Sequence, residues 1–320
     1  MAIRLQGVSK SFGAQKAVDG LDLHVPRGSI YGLLGPNGAG KTTAIRIMLD
    51  IIGPDRGEVE LLGSPVDDAV RARVGYLPEE RGLYQKMRVA DQLAFLGVLK
   101  GMRRDAARRE AERWLERMEL IDRADDAVET LSKGMQQKVQ FLSTVLHRPE
   151  LLILDEPFSG LDPLNVDLLK EIILERSREG ATVLFSTHLI EDAERLCDRV
   201  CMIAGARKVL DGRLVEIKAS AGHREVALGV DGDPDFLREL PFVVRISDHG
   251  NYFEVRLADG ADPQELLRAA VAAGVAVRRF ELVEPSLREI FLDRAGRRSA
   301  GSIGRTGGER AAHSRLKASP

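Results

Sequence analysis

The stretch GPNGAGKTT, Gly35 to Thr43, lies between a short apolar run (Ile30 to Leu34) and a segment with helical apolar spacing. It is the phosphate-binding pattern G-x-x-x-x-G-K-[ST] in the strand, loop and helix setting that gives the pattern meaning. The glycines Gly35, Gly38 and Gly40, with Pro36, Asn37 and Ala39 between them, let successive backbone N–H groups turn toward phosphate oxygens. The positive end of the following helix, begun by Lys41, Thr42 and Thr43, stands behind them. Lys41 adds a cation for the β- and γ-phosphates, and the Thr42 hydroxyl is placed to ligand Mg²⁺. The chemistry implied is the holding of a nucleoside triphosphate and its magnesium.

Two further clusters fit that chemistry. In LLILDEP, Leu151 to Pro157, an apolar strand delivers Asp155 to its carboxyl end, where open α/β sheets bind ligands. A carboxylate there holds Mg²⁺ through water and completes the site begun by Thr42. Glu156 follows, a second carboxylate suited to orienting and deprotonating an attacking water. The third cluster is LSKGMQQ, Leu131 to Gln137, ahead of apolar residues at helical spacing. Ser132 and the Gly134 N–H fall at a helix start, where unpaired donors and the dipole favour an anion. Taken alone, Ser132 reads better as a simple N-cap.

The elements that must position these residues follow from periodicity. Ile3, Leu5, Leu21, Leu23 and Val25 alternate as in strands, whereas Ile45, Met48, Leu49 and Ile52 recur at helical spacing until Gly53-Pro54. Val59–Leu62 and Val74–Leu77 read as strands, and the pattern is helical from Val89 to His147. Strand-like runs return at Leu151–Leu154 and Thr182–Phe185, separated by a helix through Leu168 and Ile172. Val200–Ile203 and Lys208–Leu210 close the block near Gly212. Alternating strand and helix predict a parallel, doubly covered sheet with a helical insertion.

Beyond Ala219 the pattern restarts as β-α-β-β-α-β, with a hairpin around Asp248-His249-Gly250-Asn251. That order is the split βαβ, or ferredoxin-like, plan. A last helix, Ser286–Leu292, opens with Ser286 and Glu289 in capping-box spacing. After Ala295 the composition turns to Gly, Ser and Arg, the signature of a disordered tail. The expected organisation is a first domain over 1–215 with its helical part at about 85–148, a second domain over 220–293 and a tail over 296–320.

Composition narrows the class. The 320 residues carry 44% hydrophobic and 30% charged side chains, an ordinary globular balance with core enough for two domains. A formal net charge of -2 gives no reason to expect nucleic acid as the main partner. Two cysteines, Cys197 and Cys201, argue for a reducing compartment and plain apolar packing. No apolar run reaches the ~18–20 residues of a membrane helix, and no secretory leader is evident.

Together these pieces resemble the nucleotide-binding subunit of ATP-binding cassette (ABC) transporters over Ala2 to Val215. GPNGAGKTT matches the family's Walker A, LLILDEP its Walker B with catalytic glutamate, and LSKGMQQ its signature. Ser159-Gly160-Leu161-Asp162 looks like the D-loop, and Phe185-Ser186-Thr187-His188 is similar to the strand ending in the switch histidine. Phe12 matches the aromatic that stacks on adenine, and GYLPE, Gly75 to Glu79, falls at the Q-loop.

The resemblance implies a P-loop ATPase cassette of α/β class, followed here by the α+β ferredoxin-like domain. It implies two cassettes clamping two ATP molecules with Mg²⁺. Ser132 and Gly134 of one copy would face the γ-phosphate held by Lys41 of the other. Glu156 would be the general base, with His188 bonding the γ-phosphate, and Thr42, Asp155 and Glu79 would serve the metal. The Q-loop position usually carries Gln; Glu79 brings a negative charge beside the triphosphate. Lys133 and Met135 replace the commoner Gly and Gln of the signature.

PEERGLY and EPSLREIF resemble exporter-type cassettes assigned to sodium or drug export. The expected partners are an integral-membrane permease and a second cassette, with the chain peripheral on the cytoplasmic face of the membrane. A soluble cassette acting in translation or DNA repair is the rival class, but this chain has one cassette and no coiled-coil insertion.

Overall fold

The structure, a computed structural model, describes residues 1–291 except 81, 222–224, 259 and 284–285. Leu292 and the tail from 296, to which the sequence assigned a helix end and disorder, lie outside the described residues. The chain divides into two compact units, Met1–Val215 and Glu216–Pro320.

The first unit opens with two long strands, β1 (Ile3–Phe12) and β2 (Gln15–Val25). Next come β3 (Ile30–Leu34), with all five residues buried, α1 (Lys41–Met48) and β4 (Arg56–Leu61). A short α2 (Asp68–Ala72) leads into β5 (Val74–Leu77). The helical stretch is α3 (Val89–Leu99), α4 (Arg104–Arg117) and α5 (Lys133–Val145). The alternating pattern then resumes with β6 (Leu151–Asp155), α6 (Pro163–Arg178), β7 (Thr182–Thr187) and α7 (Ile190–Leu196). It ends in β8 (Arg199–Ala204) and β9 (Arg207–Arg213).

The six-stranded sheet runs β5-β6-β7-β3-β8-β9. Its first five strands are parallel, as their unbroken apolar runs require, because strands buried on both faces need no alternation. The sequence pointed to a parallel sheet throughout; β9 instead returns antiparallel on β8. The reason is local. Gly205 and Ala206 both take positive φ, 55° and 66°, the two-residue turn that folds a strand back on itself.

A second sheet, β2-β1-β4, is wholly antiparallel, and buried residues alternate with more exposed ones at the start of β1 and along the second half of β2. Its inner side chains, such as Leu5, Leu21 and Leu23, share one core cluster with Ile45 and Met48 of α1 and with Leu151 and Ile153 of β6. The phosphate loop is thus clamped from both sides.

The second unit follows α8 (Leu214–Ala221), which bridges the boundary. Its elements are β10 (Glu225–Asp231), α9 (Phe236–Glu239), β11 (Val243–Asp248), β12 (Phe253–Leu257), α10 (Pro263–Ala272) and β13 (Ala276–Val283). The four strands form one antiparallel sheet ordered β11-β12-β10-β13. That order places each βαβ crossover over an intervening strand, the split arrangement. Leu237 and Leu266 of the two helices pack on Val226, Leu228 and Val255 as a separate core. At the last helix, Ser286 N–H donates to Glu289 Oε2 at 2.9 Å and Glu289 N–H to Ser286 Oγ at 3.2 Å, a reciprocal cap.

Candidate active site

The phosphate loop leaves β3 at Gly35 and enters α1 at Lys41. Gly40 caps the helix with φ 106°, contributing no side-chain bond, so the first-turn N–H groups remain open to an anion. A Cβ on Gly40 would collide with the Ala17 carbonyl of β2, and one on Gly35 with the Ile203 carbonyl of β8. Only glycine fits between those backbones. The Lys41 side chain is buried; its Nζ donates to the Gly35 carbonyl at 2.8 Å and lies 3.4 Å from Glu156 Oε1.

β6 and β7 are paired so that Asp155 stands opposite Ser186. The Ser186 hydroxyl donates to Asp155 Oδ1 and accepts from the Glu156 N–H at 3.1 Å. Glu156 takes a left-handed φ of 49°, which turns its carboxylate out of the strand direction. Its Oε2 meets His188 Nδ1 at 3.1 Å, one residue past the end of β7. Asp155 has no exposed surface, and its Oδ2 lacks a hydrogen-bond partner among the described residues. Burial pushes the Asp155 carboxyl up, opposed by the hydrogen bond from the Ser186 hydroxyl.

Lys41, Thr42, Thr43 and Glu156 line one cleft of about 320 Å³ together with Asn37, Gly38, Ala39, Gly40, Phe12 and Glu79. Phe12 is 54% exposed at the mouth, free to present its ring rather than fill a core. Glu79 Oε2 accepts from the Thr42 hydroxyl at 3.5 Å. Gln15 and Ala17 also line the cleft; the sequence reading missed them, since only the turn after Phe12 brings β2 across the loop. Ser186, quoted only as part of the run to His188, is the residue that joins Asp155 to Glu156.

Gly35 and Pro36 are not among the residues lining the cleft; both offer carbonyls to Lys41. Ser132 and Gly134 do not line this cleft. Ser132 is the exposed N-cap of α5, and its Oγ accepts from the Met135 N–H at 3.3 Å.

The residues suit a divalent cation with a triphosphate. An ionisable carboxylate oxygen without a partner sits beside a hydroxyl, and a buried ammonium fills the loop. Such an arrangement is suited to holding phosphates and to placing a carboxylate beside an attacking water.

Comparison with known proteins gives the same direction. The family model described as ABC transporter matches residues 18–159, and that described as "ATP-binding protein DrrA1-3-like, C-terminal domain" matches 212–295. An uncharacterized ABC transporter ATP-binding protein of Bacillus subtilis, YhaQ, is 45% identical over 294 residues, covering 92% of this chain and 98% of that protein. Nod factor export ATP-binding protein I of Bradyrhizobium diazoefficiens is 36% identical, covering 93% and 97%. A solved structure titled as the ATP binding subunit of an ABC transporter superposes with TM-score 0.65 at 32% identity, over 69% of this chain and 94% of that one.

Proposed function

This chain belongs to the ATP-binding subunits of ABC transporters, and we propose that it drives a separate membrane permease by hydrolysing ATP between two paired cassettes. The observation that carries the reading is the half-built cleft. Lys41, Thr42, Glu156 and the glycine loop line it, whereas the exposed Ser132 at the head of α5 does not. A second copy, opposed head to tail, would bring its own Ser132 and Gly134 to the γ-phosphate.

In this mechanism the loop N–H groups and Lys41 bind the phosphates, and Phe12 stacks on the base. Thr42 and Asp155 would hold Mg²⁺, with Glu79 beside them, and the metal would supply charge neutralisation for the triphosphate. Glu156 takes the proton of the attacking water, oriented by His188. Lys41 Nζ, 3.4 Å from Glu156 Oε1, helps to hold the carboxylate in place. Closure follows binding of nucleotide, and hydrolysis with phosphate release reopens the pair.

Export is the direction we infer, from the relative named for Nod factor export and the match to a DrrA-like C-terminal domain. No helix among the described residues is long and apolar enough to cross a membrane, so the path for cargo belongs to the partner. We place the chain on the cytoplasmic face of that partner. A role in translation or DNA repair is not favoured, because the relatives named above are transporter subunits over nearly their whole length.

The test is co-purification of the full chain with a multi-span membrane protein, with ATP hydrolysis measured in the assembled complex. Hydrolysis by the complex, blocked by Glu156→Gln, is the expected outcome. Association with ribosomes or DNA instead, with no membrane partner, would refute the proposal.

A further inference from the structure

The cleft carries a carboxylate that charge neutralisation alone does not call for. Glu79, in the loop after β5, is exposed, lines the cleft with Lys41 and Glu156, and accepts from the Thr42 hydroxyl at 3.5 Å. Asp155 lies behind, wholly buried, with Oδ2 unpartnered among the described residues. Against these three acids the described lining offers one cation, Lys41, which already contacts Glu156 at 3.4 Å. The neighbouring described cations are engaged elsewhere. Arg46 faces Glu80 at 3.5 Å, and Lys10, 5.9 Å from the centre of the Phe12 ring, pairs with Asp55 at 2.9 Å. His188 sits on Glu156.

We propose that Glu79 makes nucleotide binding conditional on a divalent cation: the cleft admits the metal–nucleotide complex and rejects the bare polyphosphate. The inference rests on the reading of this cleft as the nucleotide site. A metal-free triphosphate brings several negative charges against a lining in which Lys41 offsets Glu156 and Glu79 supplies the net negative charge. One further like charge a few ångströms away, in a partly solvated cleft, changes affinity by about tenfold. A glutamine at this position would offer a metal the same kind of oxygen without the charge, and so would not discriminate. Glu79 therefore adds selectivity that the phosphate loop and Asp155 do not supply.

The experiment is calorimetric titration of the full chain with a non-hydrolysable ATP analogue, in excess Mg²⁺ and in EDTA. The wild type should bind at least about tenfold more tightly with Mg²⁺. Glu79→Gln should narrow that ratio, mainly by improving binding in EDTA, while Glu79→Asp, which keeps the charge, should preserve most of it. Glu58→Gln, at an exposed glutamate of β4 outside the cleft lining, should leave the ratio as it is and so exclude a general charge effect. An identical ratio in wild type and Glu79→Gln, with binding in Mg²⁺ intact, overturns this inference and leaves the nucleotide site standing. Absence of binding in Mg²⁺ by the folded wild type overturns both.

Discussion

Nδ1 of His188 lies 3.1 Å from Oε2 of Glu156, whose other oxygen is 3.4 Å from the Lys41 ammonium. The carboxylate is therefore held at both ends, and its rotation is set before any substrate arrives. Glu156→Gln keeps the shape and removes the base. Turnover should fall by about 10²–10⁴-fold, with nucleotide affinity retained. Phosphate release measured beside equilibrium binding checks this, and wild-type release by the variant would eliminate Glu156 as the base. Lys41→Ala should act on the other quantity, weakening binding by ~1.5–3 kcal/mol through loss of a charge-assisted contact.

Asp155 should set the pH dependence of stability. Burial raises its folded-state pKa above the unfolded value, so the folded protein holds that proton more tightly than the unfolded chain does. Its contribution to stability is greatest below the ordinary carboxylate pKa and declines as pH rises through the folded one. At neutral pH, above the ordinary carboxylate range, the raised pKa of Asp155 is a standing cost when no metal is bound. Asp155→Asn should therefore raise the Tm of the nucleotide-free protein at neutral pH, by about 2–4 °C for each kcal/mol relieved. Scanning calorimetry from acid to neutral pH decides it; a lower Tm throughout would contradict the burial argument.

Two glycines of the phosphate loop should respond differently to alanine. Gly40 has φ 106° and its added Cβ would meet the Ala17 carbonyl, so Gly40→Ala should cost about 2–4 kcal/mol and lose nucleotide binding. Gly38 has φ 76° but open space around its Cβ, so Gly38→Ala pays backbone strain alone, about 1 kcal/mol. Chemical denaturation of the pair tests the ordering, which equal losses would contradict.

Ser132 offers a test of pairing. It is exposed at the head of α5, so Ser132→Arg should fold, losing about 1 kcal/mol with its cap, and bind Mg-nucleotide as the wild type does. Turnover should nevertheless be lost, because the bulk would stand where an opposing cassette closes. Undiminished hydrolysis, with sedimentation showing the same pairing as wild type, would sink the head-to-tail arrangement.

The amino-acid sequence alone determined whatever is written locally. The glycine spacing of the phosphate loop, the apolar run ending in Asp155 and Glu156, and the change from period two to helical spacing are each carried by a dozen residues or fewer. The β-α-β-β-α-β order after Ala219 is legible element by element, because burial of one face sets the periodicity of each short segment. Tertiary structure decided what depends on register between distant strands. Only the pairing of β6 with β7 brings Ser186 to Asp155, 31 residues away, and Lys41 meets Glu156 only because β3 and β6 flank β7 in one sheet. The left-handed turn at Glu156 and the antiparallel return of β9 have no glycine at the decisive residues Glu156 and Ala206 to announce them. Such conformations are imposed by surrounding packing, a non-local energy that a one-dimensional pattern does not contain.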